Sequence, residues 1–304
     1  LDEVRGIAEG SGLDWETVFA HQLADEEWWY RRYRHSSRRN DTGQESGQCT
    51  AIGVFGQVDR PSLLAQTWDM PKYVDGFQVL LHIKHQESRL ESFVITIAGV
   101  VAAMGLNNRS VGVCVNTVLQ LDHRVDGLPV DFVVRGVLSQ SSLENAAAFV
   151  QRVKHASGQN YMIGGPTQVL SFESSANQVR QYAPSAVSGR VYHTNHPIVN
   201  DDLAIYEAAL TKATPEEKVA GEKREAHSRK RFDVVANQVS DASKTITVET
   251  IKSILSSHEA PVCCHKGKDL SMTAGCVTME LSTSPVLHFA PGPPCSSPFE
   301  RFTF

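Results

Sequence analysis

The segment Cys49-Thr50-Ala51-Ile52-Gly53-Val54-Phe55 marks the sharpest change of character along the chain. Its small, apolar and β-branched residues are typical of a buried strand. The run before it, residues 38–48, is polar, contains two glycines and has no large apolar residue. Such a run predicts an exposed or strained connector. A connector therefore ends where a buried strand begins, and the first residue of that strand is a cysteine.

Outward from this segment, strands come first, then two helices, then strands, helices and strands again. The predicted strands are residues 63–68, 77–84, 93–98, 111–118, 161–172, 178–182, 272–281 and 286–289. The predicted helices are residues 129–138, 143–153, 207–212, 215–239 and 250–255, and a helical stretch near 7–23 in which Asp14 is a cap. Gly292-Pro293-Pro294 is expected to end regular structure. This order favours two stacked sheets covered by helices over a regular β-α-β alternation.

The composition is that of an ordinary globular protein. The 304 residues are 41% hydrophobic and 21% charged, with a net charge of -5, close to the usual averages. The acidic balance argues against a nucleic-acid partner, and no apolar run approaches the roughly 18 residues that span a bilayer. We therefore expect no nucleic-acid or membrane partner. The reducing cytoplasm is the expected compartment because the six cysteines do not indicate a disulfide framework. Because the sequence starts at Leu1 rather than Met, an upstream targeting segment stays open.

The cysteines do not predict a disulfide framework, because the chain is long and contains no C-x-x-C. They are Cys49, Cys114, Cys263, Cys264, Cys276 and Cys295. The adjacent pair Cys263-Cys264 could suggest a metal, but no second pair stands at ligand spacing, so structural thiols are the favoured interpretation. His193 and His196 are three residues apart, yet Pro197 disfavours a continuing helix and no carboxylate stands at recognisable spacing. No cofactor and no metal is expected.

A dense run of mixed charge, residues 216–231, lies inside the long predicted helix. A solvated helix face is the favoured interpretation. The alternative is a docking site for phosphates, to which Arg229-Lys230-Arg231 would contribute. No segment has the pattern of a glycine-rich phosphate loop, since Gly164-Gly165-Pro166 follows a strand but lacks the dinucleotide spacing.

Three short motifs carry candidate chemistry, and each alone has an ordinary explanation in packing or in a turn. They are Cys49-Thr50, Gln66-Thr67-Trp68-Asp69 and Val191-Tyr192-His193-Thr194-Asn195-His196. Together they resemble the acyl-CoA:isopenicillin N acyltransferase family, whose members are self-cleaving cysteine amidases and acyltransferases of the N-terminal nucleophile (Ntn) class. Three further segments are also similar to segments of the family. They are Asn108-Arg109-Ser110-Val111-Gly112-Val113, Val115-Asn116 and Gly292-Pro293-Pro294-Cys295.

The resemblance implies an α+β fold, the four-layer αββα sandwich of Ntn hydrolases, formed by residues 49–304. It also implies self-cleavage between Gln48 and Cys49, which would leave residues 1–48 as a separate helical α chain and 49–304 as the β chain. The freed α-amine of Cys49 would then serve as general base for its own thiol. Ordinary pKa values of about 7.7–8.0 for the amine and about 8.5 for the thiol nearly balance that proton transfer. A homo-oligomer of these chains stays open.

The resemblance also implies roles for side chains near the nucleophile. Asn195 matches the donor that stabilises a tetrahedral oxyanion. Asp69 matches an acidic residue, and we expect it to orient the Cys49 amine or to assist cleavage. His193 and His196, with Thr194 between them, are expected to support the loop that carries Asn195.

The late Ser-Arg pair of the family's acyltransferases aligns here with Ser271-Met272. Ser271 is therefore a supporting candidate, and a cation is expected to be missing from the site. The favoured function is hydrolysis of a linear amide in a small molecule through a Cys49 acyl-enzyme. Acyl transfer from a thioester to an amine is the alternative on the same scaffold. A catalytically dead ligand-binding or assembly protein is the alternative from another class.

Overall fold

The computed structural model describes residues 1–34, 48–183, 189–265 and 271–304. The connector predicted at residues 38–48 lies outside these ranges, except for Gln48. The helices are α1 Asp2–Ser11, α2 Trp15–His21, α3 Ala24–Arg34, α4 Val130–Leu138, α5 Leu143–Arg152, α6 Ala204–Lys212, α7 Pro215–Val239 and α8 Val248–Leu255, with a 3-10 turn at Lys72–Val74. Among these described residues, no helix is both long and apolar enough to cross a membrane.

Thirteen strands of the described chain form two antiparallel sheets. The strands are β1 Thr50–Val54, β2 Ser62–Pro71, β3 Gln78–Lys84, β4 Glu91–Ile97, β5 Met104–Asn107, β6 Gly112–Thr117, β7 Gln159–Gly164, β8 Val169–Ser174, β9 Val179–Tyr182, β10 Arg190–His193, β11 Ser271–Leu281, β12 Val286–Ala290 and β13 Glu300–Thr303. The first sheet has the order β10-β1-β2-β11-β12-β13, and the second runs β3-β4-β5-β6-β7-β8-β9. Strand β1, which follows Cys49, therefore lies inside the first sheet.

The two sheets pack face to face, and helices cover their outer faces. Strand β2 contacts β6 and β7 across the sheet interface, α4 and α5 cover the second sheet, and α7 and α8 cover the first. Leu64, Met162 and Val277 lie in the core between the sheets. Strands β2 and β11 are buried along almost their whole length, as expected for strands covered on both faces. The molecule is a four-layer αββα sandwich.

The sequence located most elements correctly, and two expectations are wrong. The single strand predicted at residues 161–172 is two strands, because the chain turns at Gly165, whose N–H donates to the Gln168 carbonyl at 2.9 Å. Regular structure does not end at Pro294, since β13 pairs with β12. The Asp14 cap is confirmed, because its carboxylate accepts the Thr17 N–H at 2.8 Å.

Helix α3 docks residues 1–34 onto the loop that follows β6. The indole N–H of Trp29, which is fully buried, donates to the Leu121 carbonyl at 3.1 Å. The carboxyl group of Asp25 accepts from Gln159 Nε2 at 2.5 Å and from Thr117 Oγ1 at 3.3 Å. Burial of this carboxyl group and the neighbouring charge of Glu26 raise the pKa of Asp25 to about 7. The N-terminal segment is therefore joined to the rest of the fold by an acid that titrates near neutrality.

We expect this carboxyl group to make stability depend on pH. The folded-state pKa of Asp25 is raised from 3.8 to about 7. The stability that protonated Asp25 contributes is therefore fully present below pH 3.8 and is lost as the pH rises to about 7. The midpoint of thermal unfolding should thus fall by several degrees between pH 5 and pH 8, and Asp25→Asn should reduce that fall. The exposed Asp59→Asn is the control. An identical pH dependence in Asp25→Asn and wild type would contradict the assignment.

Candidate functional site

Cys49 lies at the entrance of β1, between the two sheets, with 6% of its surface exposed. Strand β1 pairs with β2 so that Thr50 lies opposite Thr67, and Thr67 Oγ1 accepts the Thr50 N–H at 3.3 Å. In the continuous chain the Cys49 nitrogen belongs to the Gln48–Cys49 peptide. Burial and the charge of Asp69 raise the pKa of the Cys49 thiol to about 12. The thiol of the uncleaved chain is therefore protonated at neutral pH and needs a base to react.

Asp69 lies near the end of β2, fully buried beside Cys49. Its Oδ1 accepts from the Thr273 hydroxyl at 2.6 Å. Burial raises the pKa of Asp69 to about 7, although the Thr273 bond, the Arg231 charge and a bond from the Cys264 thiol oppose the shift. A carboxylate with a pKa near neutrality can take up a proton from a neighbouring group.

Arg231 brings a buried cation to the nucleophile. Its Nη1 donates to the Cys49 carbonyl at 2.7 Å and to Thr50 Oγ1 at 2.9 Å. Its Nη2 donates to Asn195 Oδ1 at 2.8 Å. Only 1% of the residue is exposed. The expectation that a cation is missing from the site is therefore wrong. Arg231 supplies the cation, although Met272 occupies the position that aligns with the family's arginine.

Helix α7 places Arg231 beside Cys49 because one face of this helix is buried. Ser228, Arg231, Val235 and Val239 are all buried on α7 and lie three or four residues apart, which places them on one side of a helix. The interpretation of residues 216–231 as a wholly solvated face is thus wrong for its last turn. Exposed Arg229 instead pairs with Glu225 at 2.7 Å. The spacing from Arg231 to the two valines is the signal that could have identified it.

The side chain of Asn195 is fixed in orientation by two partners. Its Oδ1 must face the Arg231 guanidinium, which can only donate, and its Nδ2 donates to the Thr117 carbonyl at 3.0 Å. An amide nitrogen carries two N–H groups, and the bond to Thr117 uses one of them. Asn195 also lines the cleft beside Cys49. The arrangement therefore presents an amide donor in a fixed position.

A buried histidine–carboxylate pair supports the turn that carries Asn195. His193 Nε2 lies 2.7 Å from Glu173 Oε1, and its Nδ1 lies 2.7 Å from the Thr194 carbonyl oxygen. Burial acts to raise the pKa of Glu173, but hydrogen bonds from His193 and from the N–H groups of Val199 and Asn200 outweigh it and lower that pKa. His193 is thus held between two acceptors beneath the turn.

Thr194 and His196 connect the same turn to helix α7. Ser228 Oγ accepts the Asn195 N–H at 2.8 Å and lies 2.9 Å from both Thr194 Oγ1 and His196 Nδ1. Burial lowers the pKa of His196 to about 3, so the ring is neutral. Because Ser228 precedes Arg231 by one helical turn, this network fixes the position of the guanidinium relative to Asn195.

Ser271 does not meet the other candidates. It is the first residue of β11 and pairs with Pro71 at the end of β2. Two residues further on, Thr273 lies opposite Asp69 and makes the hydrogen bond to its carboxylate. The supporting position near Asp69 thus belongs to Thr273, which the sequence did not indicate.

A small cleft of about 40 Å³ opens beside these residues. It is lined by Gln48, Leu119, Gln120, Asn195, Tyr206, Arg224, Arg231 and their neighbours. The Gln48–Cys49 peptide therefore lies at a wall of the cleft, and its carbonyl carbon is next to the buried thiol in sequence. Asn195 and Arg231 line this cleft, whereas Cys49 and Asp69 are buried behind it. A cysteine, a near-neutral carboxylate, a cation and an oriented amide are the groups that attack at a carbonyl carbon requires.

The chain belongs to the acyl-coenzyme A:6-aminopenicillanic acid acyl-transferase family, whose model matches residues 57–285. The match includes Asp69, Asn195 and Arg231 and begins after Cys49. The family resemblance drawn from the motifs is confirmed. No curated protein matches the sequence significantly.

Two of the solved structures that resemble the fold have TM-scores above 0.5. An N-acylethanolamine-hydrolyzing acid amidase ortholog from Caenorhabditis elegans has a TM-score of 0.52 and 13% identity, with coverage of 76% of this chain and 92% of the other. A mutant conjugated bile acid hydrolase from Clostridium perfringens has a TM-score of 0.51 and 10% identity, with coverage of 84% and 97%. At these identities the likeness concerns the fold alone, and it confirms the αββα sandwich of Ntn hydrolases.

Proposed function

We propose that the chain cuts itself before Cys49 and then acts as a cysteine amidohydrolase on the linear amide bond of a small molecule. The observation that carries this proposal is that Arg231 bonds to both Cys49 and Asn195 beside a cleft that Gln48, Asn195 and Arg231 line, with Asp69 buried next to Cys49. The products of cleavage would be residues 1–48 and 49–304, which would stay associated through the contacts of α3.

In the self-cleavage step, Asp69 takes the proton from the Cys49 thiol, and Sγ attacks the carbonyl carbon of Gln48. The C–N bond to Cys49 breaks as the Cys49 nitrogen gains a proton, leaving Gln48 as a thioester on Sγ. Water then hydrolyses this thioester, which releases the Gln48 carboxylate and a Cys49 residue with a free α-amine. The raised pKa of Asp69 and its place beside Cys49 support this role, because a carboxylate with a pKa near neutrality can serve as the base that the protonated thiol needs.

In the hydrolytic cycle, the free Cys49 amine takes the proton of its own thiol, and Sγ attacks the substrate amide. A tetrahedral oxyanion forms, which the second N–H of Asn195 stabilises. The substrate amine leaves with a proton from the Cys49 ammonium, and an acyl thioester remains on Sγ. Water activated by the same amine hydrolyses this thioester and restores the thiol. Arg231 acts as a positioning residue, because it holds the Asn195 amide and the Cys49 carbonyl.

Acyl transfer to an amine is the second candidate, and the family description favours it. Hydrolysis remains our choice because Arg231 directs its hydrogen bonds to Cys49, Thr50 and Asn195. That guanidinium is therefore committed inside the protein and not available as a fork for a coenzyme A phosphate. The names of the two solved neighbours also describe hydrolases of amide-type substrates.

A competition assay distinguishes hydrolysis from transfer. The cleaved protein is given an acyl thioester, an amine acceptor and water together, and separately a panel of N-acyl amino acids, β-alanyl amines and penicillins. We expect release of free acid from at least one amide to exceed formation of N-acylated product from the thioester. Cys49→Ala protein supplies the uncatalysed background. N-acylated product that forms faster and saturates with the thioester would replace the hydrolase by the acyltransferase.

The remaining alternative is a ligand-binding or assembly protein on the same fold. An intact Gln48–Cys49 bond in the purified protein, together with a Cys49 that no thiol reagent labels, would favour it over both enzymes.

A further inference from the structure

Four metal-ligating side chains converge at the surface between the end of α8 and the turn after β12. His258, Cys263 and His265 lie in the segment that follows α8, and Cys295 lies in the turn that precedes β13. One ligating atom from each side chain lies within 4.8 Å of all the others. Cys263 is 1% exposed, whereas the other three side chains are exposed. The cluster therefore has a buried base and an accessible rim.

The distances between these atoms are close to those of a tetrahedral metal site. The two sulfurs are 3.5 Å apart, Cys295 Sγ is 3.0 Å from His265 Nε2, and the two Nε2 atoms are 2.9 Å apart. Bond lengths of about 2.3 Å to sulfur and about 2.0–2.1 Å to nitrogen place tetrahedral ligands about 3.3–3.8 Å from one another. The three short pairs would move apart by a few tenths of an ångström, and the other pairs, which lie within 4.8 Å, would approach by at most about 1 Å to bond one central ion.

We propose that His258, Cys263, His265 and Cys295 bind one zinc ion in a closed, structural Cys2His2 site. Two thiolates and two imidazoles are a ligand set that suits tetrahedral Zn²⁺. Four protein ligands leave no open position, so the ion would stabilise structure and would not activate water. The site replaces the expectation that Cys263 and Cys295 are structural thiols only. It does not depend on the function proposed for Cys49.

A disulfide between Cys263 and Cys295 is the main chemical competitor. Both cysteines are free, and their sulfurs at 3.5 Å are well beyond the about 2.05 Å of a disulfide bond. A disulfide would involve neither histidine and would leave His258 and His265 with only the hydrogen bond between their Nε2 atoms. One cation would instead bind all four side chains in place of their mutual hydrogen bonds.

The proposed ion would fix a segment that contacts the catalytic carboxylate. Cys264, the residue after the ligand Cys263, donates its N–H to Thr273 Oγ1 at 2.9 Å and accepts the Thr273 N–H at 3.1 Å. The same Thr273 hydroxyl donates to Asp69. Zinc would thereby anchor the 258–265 segment to the turn at Cys295. Through Thr273, it would also stabilise the surroundings of Asp69.

Metal analysis of untagged, full-length protein tests the proposal. Wild type purified from zinc-supplemented cells should retain about one zinc ion per chain after exhaustive desalting. Cys263→Ser and His258→Ala should each weaken zinc binding by at least about 10–100-fold, since even the loss of a second-shell partner has that effect. Replacement of zinc by cobalt(II) should give the visible absorption of a tetrahedral thiolate complex. Cys276→Ala is the matched control, because Cys276 is a buried thiol of β11 outside the cluster.

Thermal unfolding gives a second readout that does not depend on activity. A chelator should lower the unfolding midpoint of wild type and of Cys276→Ala, but not that of His258→Ala, whose exposed position makes misfolding no explanation. Equal amounts of bound zinc in wild type and in both ligand variants, each below one ion per chain, would overturn the proposal. So would a disulfide that cross-links the peptide containing Cys263 to the peptide containing Cys295 in non-reduced protein that holds no metal.

Discussion

Cys49→Ala is expected to leave one chain of full length and to abolish turnover. The variant lacks the sulfur that attacks the Gln48 carbonyl, so neither the thioester of the cleavage step nor the acyl-enzyme of the hydrolytic cycle can form. Cys49 packs in the core between the sheets, and the change to alanine removes one atom at a small residue, so the fold should persist. Intact mass and denaturing gels measure cleavage, and release of free acid measures turnover.

Two variants sharpen this experiment. Cys49→Ser keeps an attacking atom but replaces a thiol by a much less acidic hydroxyl, so cleavage should be slow but detectable. Cys276→Ala removes a buried thiol elsewhere in the first sheet and should cleave like wild type. Normal processing of Cys49→Ala would remove the central proposal, whereas an intact wild-type chain would favour the ligand-binding or assembly protein.

The fold and part of the site could be predicted because they are local in the sequence. The change at Cys49 from a polar connector to a buried strand is visible within a few residues, and so are the motifs that contain Asp69 and Asn195. The single strand predicted at residues 161–172 is wrong because the sequence Gly164-Gly165-Pro166 forms a tight turn between two apolar stretches. That turn adds one strand to the second sheet without changing its architecture.

The remaining site residues depend on packing between distant segments. Arg231 reaches Cys49 across 182 positions of the sequence, and its charged neighbours made it look like part of a solvated face. Thr273 meets Asp69 through the register of β2 against β11, which no single motif contains. The cluster of His258, His265 and Cys295 likewise brings together segments that are distant in the sequence. Such pairings follow from tertiary packing and are not visible in local spacing.

Asn195→Ala is expected to lower kcat by about 10²–10³ while the protein still folds and KM changes little, because the variant loses one oxyanion donor that acts mainly in the transition state. The change also removes the acceptor for Arg231 Nη2, so a second variant must separate the two effects. Asn195→Asp keeps an oxygen for the guanidinium but replaces the amide donor with an acceptor. Loss of the donor predicts that both variants are slow, whereas loss of Arg231 positioning predicts that Asn195→Asp retains activity.

The measurement is single-turnover release of free acid by chains that are already cleaved, so that a defect in processing does not enter the rate. Exposed Asn145→Ala on α5, where Asn145 bonds to the nearby Ser141 and Ser142, is the control and should match wild type. Asn195→Asp with the wild-type rate would assign the oxyanion donor to another group and leave Asn195 as a partner of Arg231. Equal, large losses in Asn195→Ala and Asn195→Asp, with unfolding midpoints close to wild type, are the outcome that the geometry at Thr117 and Arg231 leads us to expect.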